Sequence, residues 1–199
     1  VVWVTEMVLH LGLLILPGAA VWLLVYRADL VLGGFGGLAA VLTAAHFHAA
    51  GFGSLVMAGL VGRGLRLAGA PRAGKAIAAS GVVMVIAFVS LAAGIATGIR
   101  AIELTGACLY AVALPALAGL QIFAGLRVAR GATRILLIMS ALGLLGATGY
   151  ALMFAVQGFY GAAVPISTML RMHGAVNAFV FLGLGLWGWS RVESVFSRP

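Results

Sequence analysis

Long apolar runs dominate the chain, and short clusters of charge separate them. Six runs are long enough to cross a bilayer: Met7–Tyr26, Leu30–Val61, Ala76–Ile99, Leu104–Gly125, Ile135–Val156 and Pro165–Trp189. A spanning helix needs about 20 apolar residues, each rising 1.5 Å. The runs are apolar all round, which excludes amphipathic surface helices. They also lack the alternation of barrel strands. The pattern therefore predicts an all-α, polytopic membrane protein, a bundle of about six transmembrane helices forming one domain over residues 1–199. No internal repeat is visible, and the longest polar stretch, Arg63–Lys75, is too short to be a linker between domains.

The second run is unusual. Leu30–Val61 is too long for one upright helix and too short for two crossings, and glycines interrupt it at 33, 34, 36, 37, 51 and 53. Clustered glycine weakens a helix and marks kinks or close helix contacts. The expectation is a long tilted helix, or one broken near Gly51. The chain has 29 glycines in all, and those elsewhere read as small residues that let backbones approach where lipid gives no hydrophobic drive for association.

Composition agrees with lipid as the main solvent: 64% of residues are hydrophobic and 8% charged, against about 25% charged in soluble domains. The net charge of +8 carries orientation. One side of the six-span topology receives Arg63, Arg66, Arg72, Lys75, Arg127, Arg130, Arg134, Arg191 and Arg198, and the other only Arg27, Arg100 and Arg171. The positive-inside rule then places both termini in the cytoplasm. Gly158–Pro165, with Phe159 and Tyr160, reads as an outer interfacial loop. The first run has Glu6 but no basic residue before it, so it reads as a span rather than a signal peptide. The basic residues are split among three segments without an aromatic-lined polar face, which argues against nucleic acid. Cys108 lies inside an apolar run, where it reads as a small hydrophobe.

Candidate chemistry is confined to a few polar side chains within spans, each costly there and so a candidate site residue. His46 and His48 fall mid-span in the second run. His173 and Asn177 share a face of the sixth, four residues apart. Tyr150 falls at similar depth in the fifth. Above them Asp29, Arg100, Glu103 and Arg171 form an outer rim of candidate substrate contacts, with Arg27 beside them, although Arg100 with Glu103 also reads as an exposed boundary pair. His10 and Gln121 lie nearer the other face and read as separate structural residues.

Three chemistries suit this set. Neutral imidazoles in a lipid-bounded site can exchange protons with a lipophilic small molecule, with His173 and His46 or His48 as acid and base, Asn177 orienting and Tyr150 an auxiliary donor. Haem ligation across two helices is the alternative cofactor reading; without a Cys-x-x-Cys-His motif it would be noncovalent. A zinc site fits less well, because His46 and His48 point about 200° apart on an α-helix and no carboxylate lies at that depth. Metal is therefore not expected, and no cofactor is needed for the leading reading. The plainer reading is interhelical glue, worth about 0.6 kcal/mol per hydrogen bond. A structural subunit of a larger membrane complex, or a homo-oligomer, is a further alternative suggested by the Gly-rich faces and short loops.

Two segments resemble a known family. Ala45-His46-Phe47-His48-Ala49-Ala50-Gly51-Phe52 is similar to a signature of the YndJ-like bacterial membrane proteins. Val164-Pro165-Ile166, Met169, His173-Gly174 and Asn177-Ala178 are similar to its second signature, followed by Gly183-Leu184, Leu186 and Trp187-Gly188-Trp189. Phe179-Val180-Phe181 departs from the expected Gly-Phe pair. The resemblance implies a multi-pass protein of the bacterial inner membrane, in contact with membrane lipids, whose His46, His48, His173 and Asn177 form a polar core. It implies no particular reaction.

Overall fold

A computed structural model describes residues 2–160 and 165–192. Six helices are long and apolar enough to cross a membrane: α1 Val2–Arg27, α2 Gly37–Leu67, α3 Pro71–Thr97, α4 Arg100–Val128, α5 Gly131–Tyr160 and α6 Ile166–Ser190. Turns of a few residues link α2 to α3, α3 to α4 and α4 to α5, so these neighbours reverse direction at each connection.

The second predicted span is corrected at both ends. Residues 30–36 fold into a tight hairpin, in which Leu32 and Phe35 exchange both backbone hydrogen bonds at 3.0 Å. Gly33 and Gly34 take φ of 58° and 84°, the left-handed pair that a type I′ turn requires. The Phe35 ring packs edge-on against Trp22, tying the hairpin to α1. The helix then runs on to Leu67, so Arg63 and Arg66 are helical rather than part of a loop. The helix is not broken near Gly51: Phe47–Gly53 winds as a π-helix within it, and a second π stretch occupies Leu170–Leu184 of α6. The outer loop expected at Gly158–Pro165 is also corrected, because α5 continues to Tyr160. Residues 161–164 and Arg198 lie outside the described residues.

Helix α2 is the central stave. Ser54–Leu65 is buried almost throughout, and Leu55, Met57, Val61 and Leu65 are sealed among α1, α3, α4 and α6. Helices α3 and α4 form the most intimate pair. A Cβ on Gly106 would lie 2.5 Å from the Leu91 amide nitrogen and 2.8 Å from the Ala87 carbonyl, and one on Gly94 would collide with the Glu103 backbone. Only glycine permits so close a backbone approach. Phe181 and Trp189 fill the core from α6, while Phe179 is 75% exposed. Phe181 therefore points inward and Phe179 outward.

The basic residues separate by end. Arg63 and Arg66 close α2, Arg72 and Lys75 open α3, Arg127 closes α4, Arg130 and Arg134 flank the start of α5, and Arg191 follows α6. Arg27, Arg100 and Arg171 lie at the opposite end. The basic end contains a polar cluster that hydropathy did not reveal: Glu6 accepts from Arg63 Nε at 2.9 Å and a second guanidinium nitrogen at 2.6 Å, and from Arg66 at 2.9 Å. Gly59 and Gly62, against Leu9 and Thr5, bring α1 close enough for these contacts.

Candidate active site

The two π-helical stretches carry the histidines. His46 precedes the π turn of α2 and His48 lies inside it, whereas His173 and Asn177 lie in the long π stretch of α6. π turns are rare and concentrate at functional sites, because they displace side chains from ordinary helical positions.

The structure brings His46 and His173 together. Their ring centroids are 6.5 Å apart, with planes inclined by 32°. Both imidazoles are tethered through Nδ1. His173 donates from Nδ1 to the Ala147 carbonyl on α5 at 2.9 Å, and His46 donates to the Leu42 carbonyl at 2.8 Å. A carbonyl only accepts, so each bond places a proton on Nδ1 and leaves Nε2 with its lone pair in the neutral ring. His48 makes the equivalent bond to Ala44 at 2.9 Å. No contact joins His48 to the His46–His173 pair among the described residues.

Asn177 is buried against His173, its amide nitrogen 3.3 Å from Nε2 and 3.4 Å from Nδ1. Near-equal distances to two nitrogens that flank one ring carbon put the amide over the ring face, not along the Nε2 lone pair. The residue that sets the His173 tautomer is therefore Ala147, through its backbone. Tyr150 lies one turn beyond Ala147 on α5, half-buried, without a hydrogen-bond partner among the described residues. Its convergence with the histidines is limited to that shared helical face.

The rim residues behave as separate groups. Arg100 pairs with Glu103 one turn away in an exposed ion pair. Asp29 is exposed in the turn after α1, with φ of 51°. Exposed Arg171 donates to the Ser167 carbonyl of its own helix at 3.3 Å. Among the described residues, no three His, Cys, Asp or Glu side chains form a group able to hold a metal ion. His10 is exposed and bonded to the Glu6 carbonyl, and Gln121 is buried away from the histidines.

Two carbonyls beneath the pair accept hydrogen bonds that were not foreseen. The Ala50 carbonyl, inside the π turn of α2, accepts from the Tyr110 hydroxyl at 3.0 Å and from Ser54 Oγ. The Phe181 carbonyl, in the π stretch of α6, accepts from Ser140 Oγ at 2.7 Å. Gln121 in turn donates to Ser140 Oγ at 2.9 Å and to the Leu137 carbonyl at 3.0 Å. Tyr110 and Ser140 carry no sequence signal of this role, since each sits alone in an apolar run.

A family model for YndJ-like proteins matches residues 1–181. The chain belongs to the YndJ-like family. The match takes in both histidine segments and stops before Gly183–Trp189. A Bacillus subtilis (strain 168) relative, "Uncharacterized membrane protein YndJ", is 30% identical over 186 residues, covering 92% of this chain but 32% of that protein. No solved structure matches. The relative is named a membrane protein, and this YndJ-like chain, with six helices long and apolar enough to span, is a multi-pass membrane protein.

Proposed function

We propose that the chain carries the acid/base centre of a membrane-embedded enzyme acting on a lipophilic small molecule by cyclisation, isomerisation or hydration. The observation that carries this reading is the pair of Nδ1-tethered imidazoles, His46 and His173, 6.5 Å apart on separate helices. Each has Nε2 available. One Nε2 accepts a proton from the substrate while the other, protonated, delivers one, so the pair ends each turnover with its starting charge. Asn177 supports the His173 ring, and His48 and Tyr150 serve as auxiliary groups. The His46 ring is exposed on a membrane-spanning helix, which suits entry of a substrate from the bilayer. Arg100, Asp29, Glu103 and Arg171 would meet a polar end of the substrate at the rim.

The positive-inside distribution supports both termini in the cytoplasm and residence in the bacterial inner membrane. Proton exchange can be followed before the substrate is identified. Membranes containing the protein are incubated with a total bacterial lipid extract in heavy water, and lipids are surveyed by mass spectrometry. Deuterium entering one lipid class with the wild-type protein, and not with His173→Ala, is the expected result. Identical labelling with wild type, His173→Ala and empty membranes would sink the proposal.

The ring separation favours a second reading, a haem or electron-transfer subunit. His46 and His173 would hold the haem through the Nε2 atoms their Nδ1 tethers leave free, and the group would supply electron transfer. A Soret band in the purified protein that disappears in His46→Ala and His173→Ala would replace the acid/base reading with this one.

A further inference from the structure

The two π-helical segments are fastened from one neighbouring helix. Tyr110 and Gln121 sit three helical turns apart, on the same face of α4. Tyr110 reaches the Ala50 carbonyl directly, and Gln121 reaches the Phe181 carbonyl through Ser140. The segments also meet each other: Leu182 of α6 seats on Gly53 of α2, where a Cβ would collide with it. Tyr110 is 6% exposed and Gln121 fully buried, so neither bond competes with water.

A π turn is strained relative to α-helix and persists where its carbonyls find other donors. Ser54 N–H bonds to the Ala49 carbonyl, five residues back, and the adjacent Ala50 carbonyl receives two hydroxyls. Ser54 bonds within its own helix. Tyr110 is the donor that ties this turn to another helix.

We infer that Tyr110 is a positioning residue for the histidine pair: its hydroxyl holds the π turn of α2 in the winding that sets the His46 ring beside His173. The role rests on the acid/base reading of that pair, but it is tested on geometry rather than turnover. Full-length protein with isotope-labelled histidine is reconstituted in phosphatidylethanolamine–phosphatidylglycerol bilayers and studied by solid-state NMR. The through-space correlation between the rings of His46 and His173 is assigned with His46→Gln and His173→Gln.

Tyr110→Phe removes one oxygen and keeps the ring. The expected result is loss of most of the His46–His173 correlation, with the thermal transition still cooperative, whereas Ser54→Ala retains the correlation. Full correlation in a folded Tyr110→Phe protein overturns the inference. Should Tyr110→Phe prove too unstable, Tyr110→Gln and Tyr110→Leu decide. A correlation kept by the first, which retains a donor, and lost in the second supports the role, and equal behaviour overturns it. A negative deuterium experiment would remove the proposed chemistry and leave this result standing, so the two failures are distinguishable.

Discussion

His173 donates its Nδ1 proton to the backbone carbonyl of Ala147, 2.9 Å away on the adjoining helix. The partner is main chain, so no side-chain substitution on α5 removes it directly, and the tautomer is fixed by the packing of α5 against α6. Nitrogen NMR of labelled histidine should find the neutral His173 ring protonated at Nδ1 and bare at Nε2. A ring protonated only at Nε2 would contradict the geometry and deprive the pair of its base.

The Glu6–Arg63–Arg66 cluster should matter more than the Arg100–Glu103 pair. Its side chains are 23–30% exposed and Glu6 is held by two guanidinium groups, whereas Arg100 is 58% exposed. Glu6→Ala leaves two partly buried guanidinium groups without their shared carboxylate, a loss of about 1–3 kcal/mol. Arg100→Ala should cost no more than about 0.5 kcal/mol. Thermal unfolding in one detergent compares them, and equal shifts would show that the cluster adds nothing.

Glycine substitutions should divide by location. Gly106→Ala places a methyl against the Leu91 and Ala87 backbone, which neither helix can yield without moving, at a cost of about 1–3 kcal/mol. Gly146→Ala meets open space in α5 and should be neutral or stabilising by up to about 1 kcal/mol. The ratio of folded to aggregated protein on size exclusion after heating reads the difference. A destabilised Gly146→Ala protein would place another helix against that face.

Orientation can be read with single cysteines in a Cys108→Ala background. Asp29→Cys and Arg100→Cys should react with an impermeant maleimide in intact cells whose outer membrane has been opened. Arg72→Cys and Arg130→Cys should react only after the inner membrane is disrupted. The reverse pattern would invert the bundle and place the histidine rim on the cytoplasmic side.

Much of the fold was legible because lipid imposes a length and polarity rule on every span. Six apolar runs became six helices, and the few polar residues inside them became the candidate site. Leu30–Gly36 escaped because hydropathy cannot distinguish an apolar hairpin from an apolar helix; the Gly33-Gly34 pair was the available turn signal. The glycines pointed to a long tilted helix or a break near Gly51 rather than to π winding, and the π stretch of α6, whose interior glycines are Gly174 and Gly183, was not anticipated either. The partnership of Glu6 with Arg63 and Arg66 joins positions 57 and 60 residues apart, and such contacts are set by helix packing, not local pattern. Tyr110 was hidden for the same reason, as an aromatic in an apolar run whose partner is a carbonyl.

The guanidinium–carboxylate cluster at the basic end also bears on how the bundle is made. Helix α2 brings two arginines, two histidines and several glycines into the bilayer and is a poor candidate to enter lipid alone. Glu6 lies on the helix synthesised before it, so the carboxylate can already be at the membrane boundary when Arg63 and Arg66 leave the ribosome. The first helix thus presents a counter-ion to the two arginines that close one of the two least hydrophobic spans.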